Sequence, residues 1–425
     1  MKKVYVAIMG IGVVGGGTYK ILADNREFLC KTQGIEYIVK KVLDKNTDRI
    51  KYFGIPESAI AASVDEIVDD KDISIVIETM GGVEPAKTFI AKMLNAGKSV
   101  VTANKELVSK HWPQLEAIAK AGKAGLYFEA SCVGGVPIIR TLQESMQANH
   151  ITEIVGIING TTNYILTKMT EDGMSYADAL KEAQALGYAE FDPTADVEGF
   201  DASYKLSILS SLAFHTCLPV DCVHREGITK VTKEDIKTGL DFGYKLKLLA
   251  IGKCRGKKVE VRVHPAFVPL THPIASVGGS FNAVFLKGDF VDDIMLYGRG
   301  AGAEPTGSAI VSDVVYASKR AKPLYADFKN DGVVAKGITV ATDFESKYYI
   351  SFSVKDEAGL LSAISGVFGA NKISVESVKQ ITLSGGTASL AFMTHDAKES
   401  NMNKALGRIA GLANVIKVES LIRVL

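Results

Sequence analysis

Six residues, Val4 to Met9, form an apolar run that breaks directly into Gly10-Ile11-Gly12-Val13-Val14-Gly15-Gly16-Gly17, and a helix-forming stretch, Thr18 to Ala23, follows. Few junctions restrict a fold as tightly. G-x-G-x-x-G between a strand and a helix demands a strand–turn–helix unit that cradles a dinucleotide. The first glycine permits the tight turn and the second lets the backbone approach a pyrophosphate. The third lets helix and strand pack closely, while the helix N-terminus meets the negative charge. Gly10, Gly12, Val13, Val14 and Gly15 are therefore candidate cofactor contacts.

The alternation continues. A second strand, Glu36 to Leu43, ends at Asp44-Lys45. An acid at this point hydrogen-bonds a ribose 2′-hydroxyl and suits NAD, whereas a cation suits the 2′-phosphate of NADP. The chain offers both side by side, so NAD or NADP stays open, with Asp44 leaning toward NAD. Strands at Ile73–Glu78, Lys98–Thr102 and Leu126–Glu129, and a helix over Glu84–Ala96, complete the pattern of a Rossmann doubly wound parallel sheet, hence an α/β fold. Ligands of such sheets sit beyond the strand C-termini. Those ends are Thr79-Met80-Gly81 and Thr102-Ala103-Asn104-Lys105. A lysine directly off a strand end can hydrogen-bond or protonate a substrate oxygen, unless Lys105 is only a solvent-facing loop residue.

At 425 residues the chain has material for two or three domains. A formal net charge of +1 gives no electrostatic reason to bind nucleic acid or a membrane surface. No apolar run reaches the roughly 18 residues of a membrane span, and the glycines after Met9 make the N-terminus a first strand, not a signal peptide. The cysteines, Cys30, Cys132, Cys217, Cys222 and Cys254, are odd in number and contain no CxxC. That pattern fits reduced thiols and a cytoplasmic protein.

The middle of the chain carries the chemistry. Glu129-Ala-Ser-Cys132-Val-Gly134-Gly135-Val136-Pro137 leads into a helix from Ile138 to Gln147. A carboxylate and glycine-turn carbonyls can ligate a hard cation, or simply form a tight connection. Cys132 also raises covalent attack on an aldehyde, although no histidine lies close in sequence to activate it. A strand at Val155–Ile158 runs into Asn159-Gly160-Thr161-Thr162-Asn163-Tyr164, where Thr161 or Thr162 should cap a helix over Asn163–Thr170. Small polar residues at such a corner, Gly160 and Thr161 among them, are good donors for a polar substrate. Farther on, Glu190, Asp192, Asp196, Glu198 and Asp201 precede Lys205. A helix starting near Glu198 or Gly199 puts Asp201 and Lys205 four apart on one face. Taken alone, that is a solvated ion pair at a helix start.

Seven segments together resemble the homoserine dehydrogenases: GIGVVGGG (10–17), VVTANKELV (100–108), EASCVGGVPII (129–139), GIINGTTNYIL (156–166), DPTADVEGFDASYK (192–205), HPAFVPLTHPIASVGGSFNAV (264–284) and GRGAGAEPTGSAIVSD (298–313). The resemblance implies NADH- or NADPH-dependent reduction of L-aspartate 4-semialdehyde to L-homoserine, on the route to threonine, methionine and isoleucine. It makes Lys105 and Lys205 the catalytic lysines, and Glu190, Asp196 and Asp201 the acids that hold the substrate ammonium and position Lys205. It assigns a monovalent cation, usually sodium, to Glu129 and the carbonyls of Cys132, Gly134 and Val136. Cys132-Val133 departs from the family's more frequent Val-Gly, and Arg299 stands where proline is frequent. The segment from 298 to 320, with Gly302 and Glu304, should return to the nucleotide domain as a glycine-rich loop and helix. Strands between 255 and 297 should pair across a two-fold axis in a homodimer.

The implied organisation is 1–130 plus about 300–322 for the nucleotide, 131–299 as an α+β catalytic and dimerisation domain, a linker over 323–346, and a final unit at 347–425. That unit has the order βαββαβ of a ferredoxin-like fold. With Asp356-Glu357-Ala358-Gly359-Leu360 at its first strand–helix turn, it resembles an ACT domain, in which Ala358 replaces the usual proline. The resemblance implies an amino-acid effector, threonine in this context, and a homodimer or tetramer. Two other readings compete: an aldehyde enzyme acting through a Cys132 thiolate, and a non-catalytic amino-acid-binding regulator.

Overall fold

The computed structural model describes residues 2–425. Five parallel strands, β1 (Lys2–Met9), β2 (Ile35–Leu43), β3 (Ile73–Glu78), β4 (Ser99–Thr102) and β5 (Leu126–Tyr127), form the first sheet in the order β2-β1-β3-β4-β5. Val6 to Met9 are wholly buried, as expected of a strand covered on both faces. The helix α1 (Val13–Asp24) follows β1 directly. Its glycines let the helix Ala303–Lys319 lie against it, since a Cβ on Gly17 would fall 2.4 Å from the Ala303 carbonyl oxygen. The chain thus returns to the nucleotide unit after the strands between Ile151 and Arg299 have been laid down.

The second sheet is mostly antiparallel. Its path runs through Asp292–Arg299, Phe281–Gly288, Ile151–Ile157, Tyr244–Arg255 and Lys258–Pro269. Two helices, Gly160–Glu171 and Phe200–Ala213, pack on the face toward the nucleotide unit. The second of these is buried from Asp201 to Ala213 with only Tyr204 partly open. A helix buried on all sides shows no amphipathic stripe, and this one carries a charged pair into the interior.

The C-terminal unit has the expected elements: Glu345–Lys355, Leu360–Ala370, Val375–Thr382, Thr387–Thr394, Glu399–Ile409 and Val415–Val424. Numbered within the unit, its strands lie in the order 4-1-3-2. It is not tethered at a distance. Its last strand pairs in parallel with Lys258–Pro269 through Arg423↔Ala266 and Val424↔Phe267, so one sheet path runs through both units. The stretch expected to be a linker is laid down on that sheet. Gly332 and Gly337, whose φ values are +86° and +91°, turn the chain; Thr339 and Val340 pair with Lys258 and Val259, and Phe344 is buried. Glycine and polar residues suit a linker, but the turns they make also serve a chain that packs closely.

Arg423 locks this seam. Its side chain is 3% exposed and donates to Glu226 at 2.7 and 2.8 Å and from Nε to Glu399 at 3.1 Å. The Phe267 and Tyr349 rings meet edge to face across it, 5.1 Å apart. Among the described residues no helix is long and apolar enough to cross a membrane.

Candidate active site

The glycine-rich turn is built for a backbone-only approach. Gly10 has φ +94°, and a Cβ there would fall 2.8 Å from the backbone of Thr79 and Met80. A Cβ on Gly15 would fall 2.0 Å from the Gly10 carbonyl oxygen. Any side chain at Gly15 would push the turn apart and fill the space at the helix N-terminus, where a pyrophosphate binds. Gly12 is the N-cap of α1, and Val13, its first residue, is 70% exposed; Val14 is half-buried. Asp44, at the end of β2, accepts from Ile11 N and from Asn46 N at 2.8 Å, so it braces the turn. Lys45 beside it is exposed.

Two further strand ends close on this turn. Thr79 Oγ1 donates to the Gly10 carbonyl at 2.7 Å, and Asn104 Nδ2 donates to the Gly82 carbonyl at 2.6 Å. Between them Glu78 is fully buried, accepting from Thr102 Oγ1 at 2.6 Å and Met80 N at 2.8 Å. Burial raises its carboxyl above the ordinary range. Gly81, at φ +77°, completes the loop. Asn104 caps the helix Lys105–Gly122 by accepting from Leu107 N at 3.1 Å, which places Lys105 at its first residue. On the returning segment, Gly302 caps Ala303–Lys319 at φ +118°, and Glu304 is exposed in that helix's first turn.

The lysines and acids meet at Asp201. Its Oδ2 accepts from Lys205 Nζ at 2.6 Å and Asn159 Nδ2 at 2.9 Å, and its Oδ1 faces Lys105 Nζ at 3.2 Å. Burial pushes the Asp201 carboxyl up, but the two ammoniums and the Asn159 amide pull it well below the usual carboxylate range. In return the Asp201 charge raises Lys105. Lys205 is buried and spends a second N–H on the Ile158 carbonyl at 2.8 Å, leaving one of three donors free. Lys105 is the more open of the two, with a side chain 44% exposed. Asn159 Nδ2 also donates to Asp196 Oδ1 at 2.6 Å. Burial and the Asp201 charge raise the Asp196 carboxyl. Glu190 is exposed on the loop above, close enough that its charge also favours protonated Lys105.

Thr161 does not cap its helix. Asn159 does, accepting from Thr162 N at 2.9 Å, because the amide oxygen reaches a free N–H while the amide nitrogen turns to the acids. Thr161 Oγ1 instead donates to the Tyr188 carbonyl at 2.7 Å, tying the helix to the loop that bears Glu190. Gly160, the first residue of that helix, has room only for hydrogen: a Cβ there would fall 2.9 Å from the Ser280 carbonyl oxygen.

The Glu129 carboxylate accepts from Ile139 N and Arg140 N, each at 2.8 Å. Burial raises its carboxyl to about 7. The nearest guanidinium, Arg140, bonds Asp313 at 2.6 Å instead. A buried carboxylate without a cationic side chain in contact, beside the turn of Cys132, Gly134 and Val136, fits a cation as a charge partner. The Cys132 thiol is sealed from solvent, and burial pushes it up to about 12. It is a thiol at neutral pH, which removes the covalent-aldehyde reading.

Three residues at the site carried no sequence signal strong enough to single them out. Asn159 reads as part of a polar corner, and Glu78 as the last residue of a strand. Arg49 lies in the short helix Thr47–Tyr52, yet its guanidinium is 3.4 Å from where a Gly12 side chain would start.

Comparison with known proteins covers the whole chain. Residues 10–129 match the family model described as homoserine dehydrogenase, NAD binding domain; residues 137–315 match homoserine dehydrogenase; and residues 348–414 match the ACT domain. A homoserine dehydrogenase of Bacillus subtilis is 38% identical over 427 residues, covering 100% of this chain and 99% of the relative. One from Neisseria gonorrhoeae is 37% identical, with the same coverage. The crystal structure of a homoserine dehydrogenase from Thiobacillus denitrificans superimposes with a TM-score of 0.93 at 36% identity, covering 100% of this chain and 99% of that one. A hyperthermophilic archaeal homoserine dehydrogenase in complex with NADPH matches 75% of this chain and 99% of its own, with a TM-score of 0.64 and 28% identity.

Proposed function

The chain belongs to the homoserine dehydrogenase family, NAD(P)-dependent oxidoreductases that interconvert L-aspartate 4-semialdehyde and L-homoserine, and from that premise we propose how its residues divide the work. The observation that carries the proposal is the Asp201 carboxylate held between the two lysines. When bound, the nicotinamide cofactor supplies the hydride to the aldehyde carbon. The chain's part is to hold the substrate and manage charge and proton at its oxygen.

Asp196 and Glu190 take the substrate ammonium, and Asn159 keeps Asp196 at a set distance from Asp201. Lys205, pinned by Asp201 and the Ile158 carbonyl, aims its remaining N–H at the carbonyl oxygen and stabilises the charge that develops there. Lys105 is the more exposed of the pair and has two unfilled donors, so it delivers the proton to the new alkoxide. The Asp201 charge keeps Lys105 protonated for this. In the reverse direction the same groups receive the proton from homoserine.

For the dinucleotide, Gly10, Gly12, Val13, Val14, Gly15 and Gly302 line the pyrophosphate, and Thr79, Met80, Gly81, Thr102 and Asn104 line the far half. Asp44 suits the ribose hydroxyl of NAD; Lys45 and Arg49 give a 2′-phosphate two cations. The enzyme on this reading accepts both. Glu129 with the carbonyls of Cys132, Gly134 and Val136 holds a monovalent cation. At the other end, Gly359 caps its helix at φ +88° with no atom within 4 Å of an added Cβ, an open turn suited to a small amino-acid effector, threonine first among them. The assembly is a homodimer or tetramer. Homoserine-dependent reduction of NAD⁺ and NADP⁺, measured side by side with and without threonine, tests the reading; no turnover with either cofactor in either direction overturns it.

A further inference from the structure

Asn282, on the strand Phe281–Gly288, is 1% exposed, and neither its amide nitrogen nor its amide oxygen has a hydrogen-bond partner among the described residues. Buried side-chain amides are nearly always paired, because each unpaired polar atom carries its full desolvation cost. Strand alternation fixes where this amide points. Ala283 joins Val155 and Ile157 in the core on one face of the sheet. Val284, on the same face as Asn282, joins Ile154 and Ile158 in the core beneath the helices and the nucleotide unit. Asn282 therefore faces the candidate active site.

What covers it there is glycine backbone. A Cβ built on Gly300 would fall 1.9 Å from Asn282 Oδ1 and 2.7 Å from Nδ2, and one on Gly160 would fall 3.5 Å from Oδ1. Gly160 opens the helix whose cap, Asn159, holds Asp196 and Asp201. Gly300 lies two residues before Gly302, on the segment that reaches α1 through Ala303. The amide thus sits where the substrate acids and the cofactor loop converge. Gly300, which covers the amide, has no side chain of its own to place over it.

We propose that Asn282 pairs with the nicotinamide carboxamide of the bound dinucleotide. This rests on the dehydrogenase reading of the site. The chemistry selects the ligand group. Asn282 presents an unfilled donor and an unfilled acceptor together. A substrate ammonium only donates and a carboxylate only accepts, while the homoserine hydroxyl belongs at the lysines. A primary carboxamide does both, and two primary amides pair head to tail through two hydrogen bonds. Pairing fixes which way the carboxamide points, and with it the ring face presented to the aldehyde held beside Lys105 and Lys205.

The test compares natural NAD(P)⁺ with its 3-acetylpyridine analogue, whose methyl ketone keeps the acceptor and loses the donor, by calorimetric Kd and by KM on the full-length enzyme. The wild type should favour the natural dinucleotide. Asn282→Leu should weaken the natural dinucleotide by about ten-fold or more, the loss of one or two ligand hydrogen bonds, while changing the analogue less, so that the ratio shrinks. Its ligand-free melting temperature should equal or exceed that of the wild type, because an unpaired amide has gone. Asn282→Asp keeps the shape and loses the donor, and should show an intermediate loss, which serves if the leucine variant fails to fold. Equal weakening of both dinucleotides, or unchanged binding with a lowered melting temperature, would assign the amide a structural role and overturn the proposal. A wild-type enzyme that binds dinucleotide but does not turn over homoserine would instead defeat the dehydrogenase reading, leaving the binding ratio still readable.

Discussion

Asp201→Asn keeps the shape of the residue that joins the lysines and removes its charge. In the wild type one carboxylate oxygen meets Lys205 at 2.6 Å and the other meets Lys105 at 3.2 Å. What the substitution removes is the attraction of that anion for the ammoniums, on the order of 5 kcal/mol for a contact of about 3 Å at an effective dielectric of about 20. Solvent at half-exposed Lys105 screens part of it. The Asp201 charge holds Lys105 above its ordinary value, so its loss lets Lys105 give up its proton at lower pH. Reduction of the semialdehyde takes its proton from Lys105, so the alkaline limb of the rate should move to lower pH, with kcat reduced on the order of 10²-fold or more. The assay is the pH profile of dinucleotide oxidation at saturating semialdehyde, with melting as a folding control. There is also a sign in stability. The native Asp201 carboxyl lies below its unfolded value, so its contribution is present above the ordinary carboxylate range and lost as pH falls through the native value. Asparagine should lack that acid-side loss. An unmoved alkaline limb with kcat within about three-fold of wild type, against the loss expected of a displaced acid catalyst, would refute the reasoning.

Four further outcomes are expected. Gly15→Ala, whose methyl would meet the Gly10 carbonyl oxygen at 2.0 Å, should abolish measurable dinucleotide binding by calorimetry while the folded sheet survives by circular dichroism. Arg49→Ala should raise the KM for NADP⁺ about ten-fold, the size of one charge-assisted contact, and leave that for NAD⁺ within two-fold by this same estimate. Glu129→Gln should remove the response of activity to added sodium, read as rate against sodium concentration at constant ionic strength. Arg423→Met leaves buried Glu399 without its cation, while Glu226, 40% exposed, can turn to water, so it should cost about 3 kcal/mol by denaturant unfolding, the low end for a broken buried pair; a loss below about 1 kcal/mol would show that the seam is not held by this residue.

Much of the nucleotide unit was legible because its signals are local. A strand, a turn and a helix occupy consecutive residues, and the glycines answer to their own neighbours. The Asp201–Lys205 pair was equally legible, since helix geometry alone brings positions four apart together. That this pair would be buried was not, because the helix mixes serines with apolar residues around its whole circumference and shows no stripe that points the pair inward. Asn159 escaped notice for another reason: its cap is a local matter, but its bonds to Asp196 and Asp201 span 37 and 42 residues. The same holds for the union of the C-terminal unit with the catalytic sheet, which depends on Arg423 meeting Glu226 some 197 positions earlier. Periodicity reports which face of a strand is buried and says nothing about which other edge it will join.

Lys105 and Lys205, held by Asp201, serve the reacting oxygen and not the cofactor. The most direct measurement is homoserine-dependent NAD(P)⁺ reduction by wild type, Lys105→Ala and Lys205→Ala, with dinucleotide Kd determined on the same preparations. The account predicts turnover by the wild type, kcat lower on the order of 10²–10⁴-fold in each variant, and dinucleotide affinity within about two-fold in both, since neither ammonium is assigned a cofactor contact. Near-normal kcat in either variant, or a common loss of dinucleotide affinity, would contradict it.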